Sequence, residues 1–94
     1  MKFNWISEKE IDDSLKKFCI DLEYHLRPRI TRFLMERLEL ECEGDFSSFY
    51  FDVDLTSEKL RIGPKTPLSL TQKIIFDFQS EFGTFTFPQP KPSI

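Results

Sequence analysis

Glu39, Glu41, Glu43 and Asp45 set four carboxylates at every second position of the chain, and Tyr50 follows shortly after them. On a strand that spacing puts the three glutamates on one face with no cation among them. Such a face suits contact with a basic partner, because an unneutralised field speeds encounter and a few desolvated pairs then set specificity. The competing reading is a solvated strand that deters edge-to-edge aggregation. The charge is local: from Glu36 to Glu58 eight carboxylates stand against Arg37 alone, although the whole chain carries only −3.

A second cluster is basic. His25, Arg27, Arg29 and Arg32 fall within eight residues around Pro28. Guanidinium groups so close together could clamp phosphates, with His25 adding charge at lower pH. They could equally cover helix ends and pair with Glu23 and Glu36, and the overall acidity of the chain opposes nucleic acid.

Asp52-Val53-Asp54 offers two carboxylates for a hard cation, but cross-strand Arg61 and Lys59 are expected to neutralise them. No spacing of His and Cys matches a metal motif, and no cofactor is implied. Cys19 and Cys42 both stand at apolar positions of the pattern and read as reduced core thiols. The three glycines are isolated, so no phosphate-cradling loop is present, and no Ser or Cys lies in a nucleophile motif. The chain is not expected to be an enzyme.

The elements that must position these residues centre on Arg37 to Gly63. Apolar residues alternate at Leu38, Leu40 and Cys42, at Phe49, Phe51, Val53 and Leu55, and at Leu60 and Ile62. That period of two predicts a three-stranded antiparallel meander. A Gly44-Asp45 turn would set Leu40 opposite Phe49, Glu39 opposite Tyr50 and Arg37 opposite Asp52. A loop of Leu55 to Glu58 would set Asp54 opposite Lys59, Val53 opposite Leu60, Asp52 opposite Arg61 and Phe51 opposite Ile62.

Before the meander, Ser7 to Glu10 reads as a capping box, flanked by Ile6 and Ile11 as a hydrophobic staple. A helix follows with Ile11, Leu15, Phe18, Leu22 and Leu26 inward. Pro28 should kink or break it, because it has no amide to donate and pushes Arg27 out of the α region. Ile30, Phe33 and Leu34 continue the inward face to about Glu36. Phe3 and Trp5 are expected to fold over one end of the core.

After the meander a helix begins near Pro67 or Ser69, capped by Thr66 or Ser69, with Leu70, Ile74, Ile75, Phe78 and Phe82 as its apolar face. Gly83 should end it in a left-handed conformation. Thr84 to Phe87 reads as a short fourth strand, and Pro88 to Ile94 as an extended proline-rich tail.

The fold class is therefore α+β, with one domain over residues 1–87 and the tail over 88–94. The eleven phenylalanines predict a core built largely of rings. Phe85 and Phe87 point the same way and want burial, either under the first helix or, failing that, at the edge of a strand-to-strand homodimer.

No apolar run approaches the length of a membrane span, and the N-terminus lacks the apolar core of a signal peptide, so a cytoplasmic location is expected. The expected role is that of a small acidic protein-binding inhibitor masking a basic surface on a larger protein, of the immunity-protein or phage anti-defence kind. Its contact residues would be Glu39, Glu41, Glu43, Asp45 and Tyr50. Two alternatives stand beside it: a nucleic-acid-associated protein using Arg27, Arg29 and Arg32, and a self-associating structural or chaperone-like subunit.

Overall fold

Lys2-Phe3-Asn4-Trp5-Ile6 alternates polar and aromatic residues, and in the computed structural model, which describes residues 1–83, it forms the first strand, β1 (Lys2–Ile6). The chain continues through α1 (Asp13–Cys42), β2 (Tyr50–Asp54), β3 (Lys59–Ile62) and α2 (Leu68–Phe82). This is an α+β arrangement of two helices and a three-stranded mixed sheet in the order β1-β2-β3. β1 runs parallel to β2, with Phe3 beside Phe51 and Trp5 beside Val53. Parallel neighbours need a long crossover, and α1 supplies it.

The second hairpin follows its expected register: Phe51 pairs with Ile62, Asp52 with Arg61, Val53 with Leu60 and Asp54 with Lys59. The first hairpin does not exist. Leu38 to Cys42 is the end of α1 and not a strand, because Arg-Leu-Glu-Leu-Glu consists of strong helix formers with no β-branched residue. The Gly44-Asp45 segment closes that helix instead of turning a hairpin. Glu43 and Gly44 are both left-handed (φ 52° and 76°), and the Asp45 amide donates to the Cys42 carbonyl at 2.8 Å. Arg37 consequently meets Asp77 of α2, 3.2 Å away, and not Asp52.

The start of α1 also differs from expectation. Its cap is Asp12, whose carboxylate accepts from the Leu15 amide at 2.8 Å. Ser7 instead accepts from the Lys9 amide within the connection from β1, which is tied to the β2–β3 loop by the Glu8 amide donating to Thr56 Oγ1. Nor does the helix break at Pro28. Its backbone stays helical there, and the one non-helical residue inside α1 is Leu38 (φ −130°, ψ 15°), which kinks the last turn.

α2 begins at Leu68 with Pro67 as its cap residue. Thr66 does not cap. Its buried hydroxyl accepts from the Tyr50 amide and donates to the Tyr50 carbonyl, both at 2.9 Å, and so continues the sheet's hydrogen bonding by side chain. Gly83 ends α2 in the right-handed region (φ −64°), its amide bonded to the Gln79 carbonyl, so no left-handed cap is formed. The expected fourth strand at Thr84 to Phe87, with Phe85 and Phe87, and the tail after it lie outside the described residues.

The core forms where Phe51, Val53 and Leu60 of the sheet meet both helices. α1 contributes Leu22, Leu26, Ile30, Phe33, Leu34 and Leu38, and α2 contributes Ile74, Phe78 and Phe82. Rings dominate its centre: Phe49 stacks on Phe51 and Phe51 on Phe78, with centroids 6.0 and 5.6 Å apart, while Phe33 stands edge-on to Phe78 and Phe82. Each such ring, fully buried, contributes roughly 1.5–3 kcal/mol by area alone.

Candidate functional site

The carboxylates singled out in the sequence lie at the C-terminal end of α1. Glu39 and Glu41 are exposed on its last turn, Glu43 is the residue after its end, and Asp45 follows in the loop. The four are held close together by chain connectivity, but on a helix end and not on one strand face. Tyr50 is not among them. It lies on the outer face of β2, where Lys2 and Lys65 place their ammonium groups 5.7 and 5.8 Å from its ring centroid.

This end of α1 is electrostatically costly. The last carbonyls of a helix carry partial negative charge and favour Lys or Arg nearby. No basic residue occupies the last turn of α1. The field is felt at Cys42, whose thiol is pushed above its ordinary pKa by burial first and then by Glu41 and Asp45. Asp45 has a local task as well: the Ser47 amide donates to its carboxylate at 3.0 Å, and the bonds from Ser47 hold it below the usual carboxylate range.

Amid these acids Leu40 is 91 % exposed. The sequence pattern had placed it in the core, opposite Phe49, and the helical end of α1 turns it out to solvent instead.

The basic cluster disperses around α1. Arg27 pairs with Glu23 at 3.5 Å, donates to the Met1 carbonyl and covers the ring of Phe3. Arg29 lies over Phe82, and Arg32 pairs with Glu36 at 3.4 Å. His25 is exposed, edge-on to Tyr24. Arg27 and Arg32 both line one hollow on the outside of α1, each beside the carboxylate it pairs with.

Asp52 accepts from Asn4 at 3.2 Å, and Asp54 accepts from the amides of Thr56 and Ser57, which hold its carboxyl below the usual range. Among the described residues no three His, Cys, Asp or Glu side chains come together to hold a metal ion. Cys19 and Cys42 are both free thiols, the first buried and the second half-buried. No helix of the described residues is long and apolar enough to cross a membrane.

Two of the hollows in the surface of the described residues bear on these side chains. One of about 320 Å³ lies beside Tyr50, between Lys2, Asn4, Asp52 and Lys65. The other, about 940 Å³ and apolar, runs along the outside of α1 past Ile20, Tyr24, Pro28, Thr31 and Met35. No protein-family model, curated protein or solved structure matches this chain.

Proposed function

We propose that this protein is a small acidic binding module that covers a basic surface on a larger protein with the C-terminal end of α1. Glu39, Glu41, Glu43 and Asp45 supply the steering charge, and Leu40 supplies the apolar anchor. The observation that carries this reading is the exposed Leu40 set among carboxylates on a helix end where the dipole disfavours them. Nothing in the packing of the fold requires that combination. An inhibitor of the immunity-protein or anti-defence kind, acting in the cytoplasm, would use such a surface.

A binding role fits better than catalysis. Burial raises both thiols above their ordinary pKa and makes them poor nucleophiles, and His25 is exposed, edge-on to the Tyr24 ring. The nucleic-acid alternative gains less support, since Arg27 and Arg32 each stand beside a carboxylate, Glu23 and Glu36.

The test is affinity capture from the native host with the wild-type chain and with Glu39, Glu41 and Glu43 all replaced by Lys. A protein captured by the first and lost from the second, with weaker capture as salt rises, supports the reading. Equal capture by a folded triple variant removes the acidic end from the function.

A further inference from the structure

α1 is apolar on two opposite sides. Leu22, Leu26, Ile30, Phe33 and Leu34 face the core. Ile20, Tyr24, Pro28, Thr31 and Met35, in steps of four, four, three and four, line the outer groove. Ile20, Tyr24 and Met35 are 68, 79 and 43 % exposed, which is unusual for three large apolar side chains on one stripe. Pro28, inside the helix, lies in the same stripe. An interior proline destabilises a helix and deprives the carbonyl four residues earlier, here that of Tyr24, of its donor. Exposed as it is, Pro28 returns nothing to the core.

We propose that a second copy of this chain closes the groove, α1 against α1 about a twofold axis. Charge selects this occupant. A twofold interface lays a patch on itself, so the patch must be close to neutral. The groove meets that condition: along its margins Glu23 pairs with Arg27 and Arg32 with Glu36. Its charges cancel in a chain of net −3. The end of α1 with Glu39, Glu41 and Glu43 could not pack on its own copy, and a basic partner would gain nothing from the neutral groove. The two surfaces therefore serve different occupants.

Area sets the strength. From Ile20 to Met35 the stripe runs about 22 Å at 1.5 Å per residue, and one helix face of that length falls short of the roughly 800 Å² per partner of a standard stable interface. Each copy already has a closed core of its own. The dimer is accordingly weak and reversible, and it leaves both acidic ends accessible.

Sedimentation velocity on the full chain, from micromolar to millimolar concentration, tests this. The mass should rise from monomer toward dimer across that range. Tyr24→Glu and Met35→Glu should each raise the dissociation constant about tenfold or more, because each sets a charge against an apolar partner. Leu40→Glu should leave it unchanged. Circular dichroism confirms that each variant keeps its helix, and Ile20→Glu replaces any that does not. A monomer mass at every concentration, or a dimer that survives Tyr24→Glu and Met35→Glu, overturns the proposal. So does a groove that binds a helix of another protein while the chain stays monomeric.

Discussion

Leu38 and Leu40, two residues apart, lie on opposite sides of the protein surface: Leu38 is 2 % exposed and Leu40 is 91 % exposed. On a strand they would share a face, whereas on a helix two residues subtend about 200°. The kink at Leu38 completes the separation, turning one leucine into the core and sending the other out among Glu39, Glu41 and Glu43. One buried and one exposed leucine result from the same short repeat.

Their substitutions should therefore differ. Leu38→Ala leaves a cavity under α1 and is expected to cost roughly 2–5 kcal/mol. Leu40→Ala is expected to shift stability by no more than about 0.5 kcal/mol. Urea unfolding of the two variants measures both, and similar losses would return Leu40 to the core.

Glu41→Lys places a cation where the helix dipole favours one, so at low ionic strength it should stabilise the fold by about 0.3–1 kcal/mol. The same change should weaken partner binding. A thermal melt at low and high salt checks the first effect, which must shrink as salt screens it.

Thr66 tests how the sheet is closed. Thr66→Val removes the hydroxyl that serves both the amide and the carbonyl of Tyr50. The carbonyl keeps its bond from the Gly63 amide, but the Tyr50 amide loses its acceptor. An unsatisfied buried donor costs about 1–3 kcal/mol, and Thr66→Ser should recover most of it.

Cys42 shares the alkaline pH dependence with Cys19, whose thiol pKa burial also raises. Burial, Glu41 and Asp45 raise the Cys42 thiol pKa in the folded chain. A group raised on folding adds stability below its unfolded pKa and loses that contribution as pH rises through its folded pKa. Stability should thus decline above the ordinary thiol range. Iodoacetamide should modify Cys42 more slowly than a peptide thiol at mildly alkaline pH, and Glu41→Gln should speed it.

The sequence carried the inner face of α1, the β2–β3 register and the apolar face of α2, because in each of them periodicity and propensity agree. It misled at Leu38 to Cys42, where alternation of Leu and Glu fits a strand by pattern and a helix by propensity, and the growing helix decided the matter. β1 was hidden because five residues with two aromatics give a short signal, and its pairing with β2 lies 48 positions away in sequence. The acidic cluster was legible as composition. Its placement on a helix end beside Leu40 was not, since that depends on the kink.

Hydrogen exchange of the chain, free and bound to the partner it captures, tests the central claim most directly. The account predicts slower exchange on binding at residues 39–45, with the amides of β1 and β3 unchanged. Protection confined to β1, β2 and the segment around Lys65, with residues 39–45 exchanging as in the free chain, would contradict it.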